Sequence, residues 1–171
     1  EKSGTEQYLY IEDERGLVAA VQMGVLELHL WGSRADRVEE PDRMVFDLDP
    51  DEGLPFAAVV KAALQFKETL EEIDLTSFPM ATGGKGIHVI VPLSRGHTWD
   101  QHRAFAEAIA RHLAAEAPDR YVATLSKAKR HGKIFIDYLR NTRGASAIGP
   151  YSTRARPGAH GDQGRAHRVR R

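Results

Sequence analysis

The spacing of apolar residues along this chain switches repeatedly between two periods, and the switches mark out its elements. Residues 8–11 form a brief strand candidate. Over 16–24, Leu17, Ala20 and Val21 recur at helical spacing and Gly24 closes the run. Residues 25–30 alternate strictly, with Val25, Glu27 and His29 on one side and Leu26, Leu28 and Leu30 on the other. Residues 44–48 are a short run of strand formers that Pro50 stops. A long amphipathic helix is predicted over 55–73, with Phe56, Val59, Val60, Ala63, Leu64 and Leu70 turned to the core. Strand candidates at 77–80 and 87–91 flank a glycine-rich loop. Thr98 and Gln101 form a capping box for a second helix, which carries Phe105, Ala106, Ile109 and Leu113 inward and ends before Pro118. A last buried-type strand spans 134–139. This order predicts an α+β fold with helices packed on one sheet.

Charge changes the picture. The total is neutral, yet residues 1–74 hold 7 basic and 18 acidic side chains, whereas residues 75–171 hold 17 and 6. A basic half of this kind suits a polyanion-binding surface, or else neutralises the acidic half across an interface. The absence of cysteine excludes disulfides and thiolate metal sites and is compatible with a reducing cytoplasm. No apolar run approaches membrane-spanning length, so no membrane role is expected. The chain opens on Glu1 rather than Met, as an excised piece of a longer protein would. From Pro157 onward almost nothing is apolar, and residues 157–171 are expected to form a disordered basic tail.

The candidate chemistry starts at the strand over 44–48. Strand alternation puts Phe46 and Leu48 on one face and Asp47 and Asp49 on the other, with the two acidic Cα atoms roughly 7 Å apart. Paired carboxylates at a strand end repel each other and resist desolvation, and a hard divalent cation such as Mg²⁺ or Mn²⁺ relieves both costs. Asp137 lies amid Ile, Phe, Ile, Tyr and Leu, where it must either pair with Arg130, Lys133 or Arg140 or join Asp47 and Asp49 around metal ions. In the loop Thr82-Gly83-Gly84-Lys85-Gly86, backbone N–H groups, the Lys85 ammonium and the Thr82 hydroxyl can contact phosphate oxygens. It is not a Walker A loop, since the frame differs and a strand follows it.

Taken together, F-D-L-D-P-D-E-G-L-P, G-G-K-G-I-H-V-I-V-P-L, S-K-A-K-R-x-G-K-I-F-I-D-Y-L-R-N and P-Y-S-x-R-A-R resemble the archaeo-eukaryotic primase superfamily, in particular the polymerase domain of bacterial DNA ligase D. The resemblance implies a primase-like catalytic core with an RRM-like mixed sheet and helices packed on it, occupying residues 1–156. It implies that Asp47, Asp49 and Asp137 are catalytic and hold two divalent cations, Mn²⁺ or Mg²⁺. Thr82, Lys85 and His88 would contact the incoming nucleoside triphosphate, and His29, Arg130, Arg154 and Arg156 would stand near the triphosphate or DNA phosphates. Family members are template-directed nucleotidyltransferases that fill gaps on a DNA primer-template or DNA end during non-homologous end joining, alongside Ku and a DNA ligase module. The implied setting is the bacterial cytoplasm, at the nucleoid. The family usually has Ser where this chain has Thr82, and its domain begins well upstream of Glu1, contributing there a lysine and an aromatic that hold the nucleotide. The tail after Ala159 departs from the family. Two other readings remain open on sequence grounds. One is a haloacid-dehalogenase-like phosphatase, against which Pro50, Asp51 and Glu52 after the second Asp argue. The other is a catalytically incomplete module that binds nucleic acid through its basic half.

Overall fold

The computed structural model describes residues 8–155; Arg156 and the 157–171 segment lie outside the described residues. The chain runs α1 (Glu14–Gln22), β1 (His29–Trp31), β2 (Arg43–Pro50), α2 (Phe56–Glu71), β3 (Phe78–Ala81), β4 (Ile87–Pro92), α3 (Trp99–Glu116), β5 (Tyr121–Val122), β6 (Ile134–Asp137) and β7 (Ser146–Ile148). Five strands form one sheet in the order β3-β4-β2-β6-β5, antiparallel except for the parallel β5–β6 pair. β1 and β7 form a separate antiparallel pair. The fold is α+β with a mixed sheet, as the pattern predicts.

β2 sits at the centre of the sheet, and α2 and α3 cover one of its faces. Met44, Phe46 and Leu48 point toward these helices and are fully buried. The Phe46 and Phe66 rings pack with centroids 4.7 Å apart, and Val59, Leu70, Ala106 and Leu113 complete the layer. Thr98 caps α3, accepting from the Gln101 N–H while the Gln101 side chain accepts from the Thr98 N–H, the reciprocal pair that the sequence predicts.

Several expectations need correction. Residues 8–11 form no strand; Tyr8, Leu9, Tyr10 and Ile11 are exposed. Of the predicted face of α1, only Ala20 is buried. In the 25–30 segment just His29 and Leu30 are ladder residues, and the strand continues to Trp31. On α2 the buried stripe is Val59, Ala62, Ala63, Phe66 and Leu70, while Phe56, Val60 and Leu64 face outward. The helix carries two apolar stripes, and contact with the sheet selects the one richer in alanine, which lets backbone and sheet approach closely. On α3, Phe105 is exposed and Trp99, His102 and Ala110 are buried instead.

β6 ends at Asp137, and the ladder beside β2 is continued by a side chain. The Asn141 Oδ1 accepts from the Val45 N–H at 2.8 Å, and its Nδ2 donates to the Val45 carbonyl at 2.8 Å and the Tyr138 carbonyl at 2.7 Å. The amide thus mimics a strand neighbour and fixes the 3-10 turn Leu139–Asn141 against β2.

Candidate active site

The face of the sheet opposite the helices carries the acidic residues. Asp47 pairs directly with Asp137 across the β2–β6 ladder, and Asp49 lies two residues further along β2 opposite Phe135. Directly paired residues point to the same side, so all three carboxylates share one face. On the other flank Asp47 pairs with His88 of β4. His88 is buried, its Nε2 lies 3.4 Å from Asp47 Oδ2, and its Nδ1 has no partner among the described residues.

Burial and the neighbouring charge of Asp47 push the Asp49 carboxyl above its ordinary range. The Asp137 charge pushes the same way, and Arg130 and Lys85 pull it back. Crowded carboxylates of this kind are what a cation would relieve. In this structure a guanidinium partly does so. Arg140 places its Nε 3.5 Å from Asp137 Oδ2 and its Nη2 3.7 Å from Asp47 Oδ2. Of the two arrangements expected for Asp137, the structure shows the pairing with Arg140, on a strand position directly opposite Asp47.

A cleft of about 330 Å³ opens over this face. Asp47, Asp49, His29, Thr82, Lys85, His88 and Arg154 all line it, so seven of the residues singled out from sequence converge there. The loop that carries Thr82 and Lys85 is held close by Gly86. A Cβ at Gly86 would fall 2.7 Å from the Leu48 carbonyl oxygen and 3.1 Å from Asp47 Oδ1, so any side chain would push the loop off β2. Gly83 turns the loop at φ +68°, and the Thr82 hydroxyl donates to the Gly86 carbonyl at 3.3 Å. The Lys85 ammonium extends into solvent, 3.9 Å from Glu52.

The far wall of the cleft is built by β1 and β7. Glu27 organises it, with one carboxylate oxygen 2.9 Å from His29 Nε2 and 3.5 Å from Arg154 Nη1, and the other accepting from the Ala155 N–H at 2.8 Å. These contacts, the His29 hydrogen bond first, hold the Glu27 carboxyl below its ordinary range. Sequence reasoning placed Glu27 beside His29 but gave it no role; its position one strand pleat from a candidate histidine was the available signal. Arg140 was named only as a structural partner of Asp137.

Arg130 takes a different place. Its guanidinium stacks 3.7 Å above the Phe135 ring and donates to the Leu125 carbonyl at 3.1 Å, close enough to act on Asp49 without lining the cleft. Arg156 lies outside the described residues.

Among the described residues, no three acidic or histidine side chains converge closely enough to hold a metal ion as they stand. The donor set nevertheless fits one. Three hard carboxylates share a face, burial and then like charge raise the pKa of one of them, and a side-chain cation already sits between the other two.

An α+β sheet with acids on its uncovered face and cationic loops around them is the arrangement that the resemblance to the primase superfamily implies. The family model described as LigD, primase-polymerase domain, matches residues 1–160. The chain is 46% identical over 155 residues to the multifunctional non-homologous end joining protein LigD of Pseudomonas aeruginosa, covering 91% of this chain and 18% of that protein. It is 33% identical to the corresponding LigD of Mycolicibacterium smegmatis, covering 91% of this chain and 21% of that one. Among solved structures it matches the polymerase domain from Mycobacterium tuberculosis ligase D in complex with DNA, with a TM-score of 0.82 and 32% identity, over 91% of this chain and 57% of that one. The chain belongs to the LigD primase-polymerase domain family. It spans about a fifth of the length of the curated relatives it matches.

Proposed function

We propose that this chain carries the carboxylate centre of a template-directed nucleotidyltransferase that extends a primer strand at a DNA gap or end in bacterial non-homologous end joining. The observation that carries the reading is the register that sets Asp47 against Asp137, with Asp49 on the same face, beside a cleft that Asp47 and Asp49 line together with Lys85, His29 and Arg154 while Asp137 stands behind its lining. In this reading Asp47, Asp49 and Asp137 hold two divalent cations, Mn²⁺ or Mg²⁺. When bound, these supply Lewis-acid activation of the primer 3′-hydroxyl and neutralise charge on the triphosphate. Thr82 and Lys85 bind phosphate oxygens from the loop side, and His29 and Arg154, held in place by Glu27, bind them from the opposite wall. His88 steadies Asp47 from within the sheet. Arg130, flat against Phe135, faces DNA phosphate at the Asp49 end. Residues 1–156 form the catalytic part and 157–171 a basic tail, with Ku and a DNA ligase module as partners in the bacterial cytoplasm, at the nucleoid.

The reading is tested by supplying Mn²⁺, a gapped primer-template and nucleoside triphosphates. Extension is expected from the wild-type chain and none from Asp47→Ala; extension that survives the substitution would refute the assignment. A second reading, a metal-independent DNA-binding module, is favoured by the Arg140 pairing with Asp47 and Asp137. It calls for strongly salt-dependent DNA binding without extension. The phosphatase alternative loses its basis with the family match.

A further inference from the structure

Arg140 lies in the 3-10 turn Leu139–Asn141 that follows β6 directly. The turn is pinned at both ends, by the Asn141 amide on Val45 and by the Leu139 N–H donating to Asp137 Oδ1 at 2.9 Å. The backbone of Arg140 is therefore held at both ends of the turn, while its side chain is 43% exposed. At 3.5 and 3.7 Å from its two carboxylates, the guanidinium makes longer contacts than a strong charge-assisted hydrogen bond.

We propose that Arg140 is a positioning residue for the metal site: a resident counter-ion that holds Asp47 and Asp137 in the nucleotide-free protein and leaves them when a triphosphate draws it away. This rests on the metal-dependent reading above. The same Oδ2 atoms face the guanidinium and would face a cation, so the two occupants exclude each other by space and by like charge. Arg140 also lines the cleft with Lys85 and Arg154, so phosphate entering there meets all three. A planar guanidinium pairs well with phosphate oxygens, and exchanging two loose carboxylate contacts for such a pair frees the acids for metal. By linkage, nucleotide then tightens metal binding, and metal tightens nucleotide binding by the same factor.

The test is Mn²⁺ binding to the full chain, read from the electron paramagnetic resonance signal of free Mn²⁺. Wild type and Arg140→Gln are compared with and without a non-hydrolysable nucleoside triphosphate analogue. Without nucleotide, Arg140→Gln is expected to bind Mn²⁺ about three- to tenfold more tightly, as loss of two partly exposed ion pairs implies. With the analogue the gain should vanish. Equal affinity in the two proteins would overturn the proposal, and so would an equal gain in both states, which net charge alone would give. Arg140→Lys, which keeps one charge but cannot span both carboxylates, should fall between the two; a wild-type affinity for it would also overturn the proposal. Binding by neither wild type nor variant removes the metal reading itself, whereas wild-type binding with no difference in the variants removes only the role of Arg140.

Discussion

Phe46 and Leu48 are fully buried under α2 and α3, while Asp47 and Asp49, their neighbours in the same strand, face an open cleft. One strand thus serves two demands that do not interfere, because the pleat sends them to opposite sides. The buried side is apolar, close-packed and favourable in any ionic state. The cleft side gathers like charges and is held together by what lies around it: Arg140, His88 and the hydrogen bonds of Asn141. Stability and chemistry should therefore separate residue by residue along β2.

The comparison can be broken most forcefully from the buried side. Phe46→Ala removes a fully buried ring and its contact with Phe66, and should cost about 3–5 kcal/mol. Urea unfolding should show a collapsed midpoint, with DNA extension lost only as folding is lost. Asp137→Ala should do the reverse: a fall of about a hundred- to a thousandfold in primer extension, with only a small drop in melting temperature from the Leu139 N–H and the Arg140 contact it leaves unpaired. If that protein unfolds early, the two faces are not independent. Asn141→Ala tests the hinge between them. It strips Val45 of both amide partners in a buried place, so thermal unfolding should register a loss of about 1–3 kcal/mol.

Asp49→Asn is the smallest and sharpest change. Its carboxyl has a folded pKa above the ordinary 3.8, so between the unfolded and folded values the native state holds more protons. Stability from this group accordingly falls as pH rises through that window and stays lower at neutral pH. Since the side chain still reaches solvent, the effect is discounted to below about 1 kcal/mol. Asp49→Asn should therefore melt slightly higher than wild type at pH 7 and equally at pH 3, while losing extension. A lower melting temperature at pH 7 would show that the cleft side is not under charge strain.

The division within β2 was legible in the sequence because alternation is a local property: once 44–48 forms a strand, Asp47 and Asp49 must share a side. The capping box of α3 was legible for the same reason. Elements that depend on a distant partner were not. β5 is two residues long and β7 three, and neither carries enough pattern to be seen apart from β6 and β1. The orientation of α2 was misjudged because Phe56, Val60 and Leu64 offer a helical stripe as regular as the buried one, and only the sheet decides between them. The convergence of His29 with Arg154 depends on Glu27, one carboxylate oxygen of which contacts the nearby histidine and also Arg154, far along the chain. The place of Arg140 between two acids follows from a 3-10 turn that the apolar run over 134–139 gave no reason to expect.

The β1–β7 pair has a practical consequence for anyone trimming this chain. His29 is aligned opposite Ile148, the Gly149 N–H donates to the Leu28 carbonyl, the Leu28 N–H donates to the Ser152 hydroxyl, and the Thr153 hydroxyl donates to the Leu26 carbonyl. A stop codon placed just before Ser146 would therefore do more than delete Arg154. It would unfasten the early segment from its clasp and set His29 adrift, so one cut would cost the cleft both an arginine and a histidine.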